Sequence, residues 1–161
     1  QAEYDALTDC FNRRSFNKFL SLYETDAENH PFALILIDID VFKSVNDTYG
    51  HGFGDIVLVE FARLLTKHVK NKGIAVRFGG EEFMLVLKGM NTDEIGKMLE
   101  HIRWEYKEFT KHEKNIECSF SSGVQHYTEG IAVTILYRLA DEKLYAAKER
   151  GRNQDVFDLE S

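Results

Sequence analysis

Six consecutive apolar residues, Phe32-Ala33-Leu34-Ile35-Leu36-Ile37, form the strongest hydrophobic feature of the chain. With Asp38 and Ile39 they read as a strand over 32–39, apolar enough to be buried on both faces. Before it, Phe16, Phe19, Leu20 and Tyr23 recur at helical spacing and predict a first helix. After it, 41–46 reads as a short helix, 47–55 as a glycine-rich loop, and 56–69 as a long helix. Residues 74–78 and 83–87 read as two strands joined by a tight turn at 79–82, where glycines supply positive φ. Ile95, Met98, Leu99, Ile102, Tyr106 and Phe109 mark a third helix, and Trp104 is read with the core. Residues 116–127 form a strand region. A fourth helix over 131–150 closes at Gly151, and Val156 and Phe157 add a last short strand. Alternating helices and strands with an antiparallel hairpin predict an α+β sandwich, with helices on the faces of a mixed or antiparallel sheet, rather than a Rossmann domain.

Acidic residues change this picture from fold to chemistry. Asp38 and Asp40 end the apolar strand on one side of it, with Ile39 opposite. Glu81 and Glu82 follow Gly79 and Gly80 at the hairpin tip. A strand end meeting solvent explains either aspartate alone, and an ordinary turn explains the glycines. Neither explains two consecutive acids there as well. Carboxylates gathered at a buried strand end are costly unless a cation neutralises them. Magnesium prefers oxygen donors and is held by one or two carboxylates plus substrate phosphates. A magnesium–phosphate site accounts for all four acids.

Other candidates are weaker alone. Lys43, Asn46, Asp47 and Asp55 surround Gly50, Gly52 and Gly54, but a Walker-type Gly-Lys-Ser/Thr ending is lacking. Asp55 either caps the following helix or, as an acceptor-only group, faces the adjacent N–H donors of guanine. Lys148, Arg150 and Arg152 complement a helix C-terminus or bind phosphate. The histidines show no ligand-type pattern and read as surface or turn residues.

Bulk properties set the limits. A length of 161 residues suits one domain with a full core. A net charge of −7 argues against a nucleic-acid surface. Cys10 and Cys118 lie far apart without metal-type spacing, so free thiols in a reducing cytosol are expected. No apolar run reaches the length of a membrane span. The chain opens at Gln1 without an initiator Met, which suggests a piece of a longer protein.

The motif Asp38-Ile39-Asp40-x-Phe42-Lys43-x-x-Asn46-Asp47-x-x-Gly50-His51-x-x-Gly54-Asp55, followed by Arg77-Phe78-Gly79-Gly80-Glu81-Glu82-Phe83, resembles the GGDEF domain of bacterial diguanylate cyclases in its GGEEF variant. Leu7-Thr8-Asp9-Cys10-Phe11-Asn12-Arg13-Arg14 resembles the family's opening motif, and Asp141-x-x-Leu144-Tyr145-x-Ala147-Lys148-x-x-Gly151-Arg152-Asn153 its closing one. Together they cover almost the whole chain. The resemblance implies a nucleotidyl-cyclase-like (palm, ferredoxin-like) fold, with a central, mainly antiparallel sheet of about five strands flanked by helices. It implies condensation of two GTP molecules to cyclic di-GMP with release of pyrophosphate, at the interface of a homodimer. By the same resemblance Asp38, Glu81 and the Ile39 carbonyl bind Mg²⁺, or Mn²⁺ in its place. Asn46 and Asp55 read guanine. Lys43, Lys148 and Arg152 hold phosphates, and Phe42 and Gly80 line the pocket. Glu81, with Glu82 beside it, assists deprotonation of the ribose hydroxyl. The expected setting is a cytoplasmic domain joined to an N-terminal sensory or regulatory domain, in a parent for which membrane anchoring stays open.

Two departures stand out. Asp9-Cys10 replaces Gly-Leu of the opening motif, where only local repacking is expected. Many members carry an inhibitory Arg-x-x-Asp upstream of the signature, where this chain has Lys70-Asn71-Lys72-Gly73. The alternatives are a degenerate domain that binds GTP or cyclic di-GMP without catalysis, a cyclase that also accepts ATP, and a bare dimerisation module. The intact acids and Lys148 and Arg152 argue against the first, and Asp55 against the second. The acid cluster argues against the third.

Overall fold

All eight residues of Phe32–Ile39 are buried, as an unbroken apolar run requires of a strand covered on both faces. The computed structural model describes residues 3–160. Its elements run β1 (Phe11–Asn12), α1 (Arg13–Thr25), β2 (Phe32–Ile39), α2 (Phe42–Tyr49), α3 (His51–Val69), β3 (Gly73–Gly79), β4 (Glu82–Lys88), α4 (Thr92–Lys114), β5 (Phe120–His126), α5 (Val133–Glu149) and β6 (Asp155–Val156). They build one six-stranded sheet of order β1-β3-β4-β2-β5-β6. The long strands pair antiparallel. The two-residue strands β1 and β6 add at the edges in parallel. The fold is therefore the expected α+β sandwich, with one more strand than the expected five, because Phe11 and Asn12 pair with Val76 and Arg77.

Strand alternation divides the core. Ala33, Ile35, Ile37 and Ile39 face a cluster with Val57, Phe61 and Leu65 of α3 and Leu99, Ile102 and Tyr106 of α4. Phe32, Leu34 and Leu36 face Phe16 and Leu20 of α1 and Leu136, Ala140 and Leu144 of α5. Phe61 anchors the first layer, with its ring 5.3 Å from Phe83, 5.0 Å from Tyr106 and 5.3 Å from Phe120, in the tilted geometry aromatic pairs favour. No helix among the described residues is long and apolar enough to cross a membrane.

Three expectations need correction. The glycine-rich loop over 47–55 is mostly helical, since α2 runs to Tyr49 and α3 starts at His51, leaving Gly50 (φ 89°) as the break. The extra turn forms because Phe53 packs into the core. Asp55 therefore lies inside α3 and does not cap it. Trp104 is 57% exposed on the outer side of α4, whose buried stripe includes Ile95, Leu99, Ile102 and Tyr106. Helix α4 also starts earlier than its apolar stripe, at a capping box of Asn91 and Glu94.

Candidate active site

Sheet register places the acids. Asp38 at the end of β2 lies directly opposite Glu82 at the start of β4. The Ile39 amide donates to the Glu81 carbonyl at 3.2 Å. Gly79 pairs with Glu82, so Gly80 (φ 26°) and Glu81 form a two-residue turn. The turn is braced from behind. Arg77 Nε donates to the Gly80 carbonyl at 2.9 Å, and Arg77 Nη1 to Asp5 Oδ2 at 3.1 Å. Asp5 Oδ2 also accepts from the amide and hydroxyl of Thr8, at 2.9 and 2.8 Å. The Arg13 guanidinium lies 4.2 Å from the centre of the Phe78 ring. The opening motif thus acts as scaffolding for the signature turn, through contacts no sequence spacing reveals.

The Asp38 carboxylate is divided between two environments. Oδ2 accepts a hydrogen bond from Lys148 Nζ of α5, reaching across 110 residues of chain. Oδ1 is buried without a hydrogen-bond partner. Burial raises the Asp38 pKa; the Lys148 bond and charge oppose this, and the charges of Glu81 and Asp40 add to it. Burial likewise raises the Glu82 pKa, reinforced by the charges of Asp38 and Glu81. An orphaned carboxylate oxygen in a cluster of repelling acids is a site that a hard cation fits.

Asp40 departs from the metal-ligand reading weighed for it. Its Oδ2 accepts from Ser119 Oγ at 2.7 Å and from the Asn153 amide at 3.0 Å, and its Oδ1 from Ser121 Oγ at 2.6 Å. That carboxylate is used up in structure. It anchors a corner after α5 in which Gly151, Arg152 and Asn153 have φ of 110°, 63° and 52°. Gln154 Nε2 closes the corner by donating to the carbonyls of Arg150 and Arg152, each at 3.0 Å.

Helices α2 and α3 form the adjoining wall. Gly54 lies so close to α2 that a Cβ there would be 1.8 Å from Asn46 Oδ1 and 3.3 Å from Phe42 Cζ. That contact brings Phe42 and Asn46 against Gly54, and Asp55 follows Gly54 on α3 as an exposed side chain. Asn46 Oδ1 is buried without a hydrogen-bond partner. Lys43 stands apart. It is exposed and paired with Asp47 at 2.8 Å, not with the acid cluster. The structure therefore gathers Asp38, Ile39, Glu81, Glu82 and Lys148 at one strand end, and sets Arg152 on the corner that Asp40 holds.

Comparison with known proteins bears on this arrangement. The family profile described as "Diguanylate cyclase, GGDEF domain" matches residues 2–154. The chain is 38% identical over 164 residues to the uncharacterized protein YhcK of Bacillus subtilis strain 168, covering 98% of this chain and 46% of that protein. It is 37% identical to an uncharacterized membrane protein of Staphylococcus aureus strain USA300, covering 96% of this chain and 46% of that protein. The chain thus spans just under half the length of these curated relatives. Among solved structures, the GGDEF domain of DgcB from Caulobacter crescentus, in complex with c-di-GMP, superposes with a TM-score of 0.86 at 30% identity over 97% of this chain and 95% of that one. The diguanylate cyclase SiaD of Pseudomonas aeruginosa, in complex with its activator SiaC, gives 0.89 at 32% identity over 98% and 62%. The active GGEEF domain of a Vibrio cholerae diguanylate cyclase gives 0.80 at 32% identity over 91% and 96%. A family profile matched from residue 2 to 154, on a fold that superposes on solved members along nearly its whole length, places this chain in the GGDEF domain family of diguanylate cyclases.

Proposed function

We propose that this chain is a catalytic GGDEF domain that condenses two GTP molecules into cyclic di-GMP at a homodimer interface. The observation that carries the reading is Asp38, with one carboxylate oxygen orphaned and the other on Lys148, beside Glu81 and Glu82. A domain that only binds nucleotide has no need to maintain so much repulsion at a buried strand end. Asp38, Glu81 and the Ile39 carbonyl would hold Mg²⁺, and Mn²⁺ could take the same oxygen donors. When bound, the cation neutralises the triphosphate and polarises its oxygens.

The remaining roles belong to side chains. Lys148 and Arg152 hold phosphate oxygens, and Lys43 joins them by leaving its exposed pair with Asp47. Phe42 and Gly80 bound the pocket, while Asn46 and Asp55 read the guanine edge. Each ribose 3′-oxygen forms a bond to the α-phosphorus of the GTP on the facing copy. The bond from that phosphorus to the bridging oxygen breaks, and pyrophosphate leaves with the electron pair. The hydroxyl proton passes to a carboxylate of the Glu81–Glu82 pair. Catalysis is otherwise positioning and charge neutralisation. The parent protein would supply an N-terminal regulatory domain that brings two copies together by raising their effective concentration.

The test is incubation of the chain with GTP and Mg²⁺ and separation of the products by chromatography. Cyclic di-GMP is expected, at a rate per chain that falls on dilution. GTP binding without product, in a chain held dimeric by a fused coiled coil, would instead identify a nucleotide-binding sensor.

A further inference from the structure

On the outer face of the domain, away from the acid cluster, the end of α3 meets the middle of α4 through a second group of ligating side chains. His68 Nε2 lies 2.5 Å from Glu105 Oε1, and His101 Nε2 lies 3.9 Å from the same oxygen. The two imidazole rings stand 5.0 Å apart, tilted by 69°. One ligand atom from each residue falls within a span of 4.8 Å. His101 and Glu105 are one helical turn apart on α4, so they share a face, and His68 comes from the neighbouring helix.

We propose that His68, His101 and Glu105 form a binding site for a borderline divalent d-block cation of the zinc class. Two imidazole nitrogens and one carboxylate oxygen are the donor set of a three-ligand zinc site with an open fourth position. In such a site the ligand atoms lie about 3.3 Å apart, from metal–ligand bonds of about 2.0–2.1 Å. The observed spacings bracket that value. Adjustment falls mainly on His101, whose side chain is 63% exposed, while His68 and Glu105 are 14% and 18% exposed and held by packing.

The surroundings also suit a metal. Lys67 Nζ donates to Glu105 Oε2 at 2.7 Å, which fixes the carboxylate and leaves Oε1 toward the imidazoles. A carboxylate that ligates a metal is usually held in place by such a hydrogen bond. Arg63 is held at 2.9 and 2.7 Å by Glu60, which offsets its charge beside the site. Magnesium, a hard cation, does not compete for two nitrogen donors. The inference is independent of the activity proposed above.

The test uses the 161-residue chain with Co²⁺ as an optical stand-in for zinc and excess Mg²⁺ to fill the acid cluster. Visible ligand-field bands of a four- or five-coordinate ion are expected at one equivalent, abolished by Zn²⁺. His68→Gln, His101→Gln and Glu105→Gln should each weaken binding by about tenfold or more, since even outer-shell partners of metal sites are worth about that much. Asp38→Asn should leave the bands unchanged. Zinc should also raise the melting temperature of the unmodified chain and not that of His101→Gln, which alters an exposed side chain and keeps the fold. Bands that persist in a His68→Gln/His101→Gln double variant, or that vanish in Asp38→Asn, overturn the assignment. So does absence of one-equivalent binding, which would leave a plain histidine–glutamate pair.

Discussion

The backbone amide of Asn153 donates to Oδ2 of Asp40 at 3.0 Å, joining the corner after α5 to the end of β2 across 113 residues. Ser119 and Ser121 complete the acceptor set of that carboxylate. The bond holds a backbone with three consecutive positive φ values, a conformation unfavourable to Arg152 and Asn153 in isolation. Asp40→Ala should release the corner and displace Arg152. Turnover of GTP should fall by about 10²-fold, the scale of a misplacement near 1 Å. Steady-state kinetics checks this, with circular dichroism to show that the sheet survives. Unchanged kinetics would mean that Arg152 is placed by something other than Asp40.

Asp38→Asn and Glu81→Gln keep size and remove charge. Each should lower turnover by about 10³-fold, corresponding to several kcal/mol of lost charge stabilisation. Asp38→Asn should also remove a buried charge repelled by Glu81 and Asp40 while its amide oxygen still accepts from Lys148, so the melting temperature should not fall. Near-normal product formation by Asp38→Asn would remove this carboxylate from the cation site.

Gly54→Ala tests the seam between α2 and α3. Its Cβ would meet Asn46 Oδ1 at 1.8 Å, so Asn46 must move or the helices must part. A loss of about 1–3 kcal/mol is expected from overpacking of this kind. Weaker GTP binding should accompany it if Asn46 reads the base. Chemical denaturation and calorimetry separate the two effects.

Arg103 and Asp155 hold the far edge of the sheet. Arg103 Nη2 donates to Asp155 Oδ1 at 2.6 Å and Nη1 to Oδ2 at 2.9 Å, a two-pronged pair with both side chains at most 10% exposed. Ser122 Oγ donates to the same aspartate at 2.7 Å. Asp155→Ala should cost about 3–5 kcal/mol, because it leaves a buried guanidinium with only the exposed Glu100 carboxylate as its ion partner. Urea denaturation reads the loss directly, and a change below about 1 kcal/mol would place this pair with surface ion pairs.

Residues 70–73 bear on product feedback. Lys70 lacks the planar fork of arginine. Gly73 offers no acceptor, and a Cβ there would lie 1.9 Å from the Val86 carbonyl oxygen, so an aspartate cannot enter without opening β3 from β4. Calorimetry with cyclic di-GMP, run with the active site filled by a non-hydrolysable GTP analogue, should show no tight binding at this surface. Lys70→Arg should not create it. Tight binding lost on Lys70→Ala would show that the surface works without either specific contact.

Hydrophobic patterning alone determined the sandwich. A run that cannot face water on either side had to be a central strand, and helical stripes had to cover it. Short-range signals also marked the signature turn and its two glutamates. The rest depended on tertiary structure, which joins residues far apart in sequence. An edge strand of two residues carries no periodicity, so β1 forms only where its partner β3 already exists, while the last short strand was expected one residue later than β6. Asp38 and Asp40 look equivalent along the chain, but Lys148 meets one, and Ser119, Ser121 and Asn153 saturate the other. Glycines at 50, 52 and 54 suggested a loop, and the pull of Phe53 into the core made a helix instead. His68 and His101 stand 33 positions apart with no motif between them, and only the packing of α3 on α4 brings their rings to 5.0 Å.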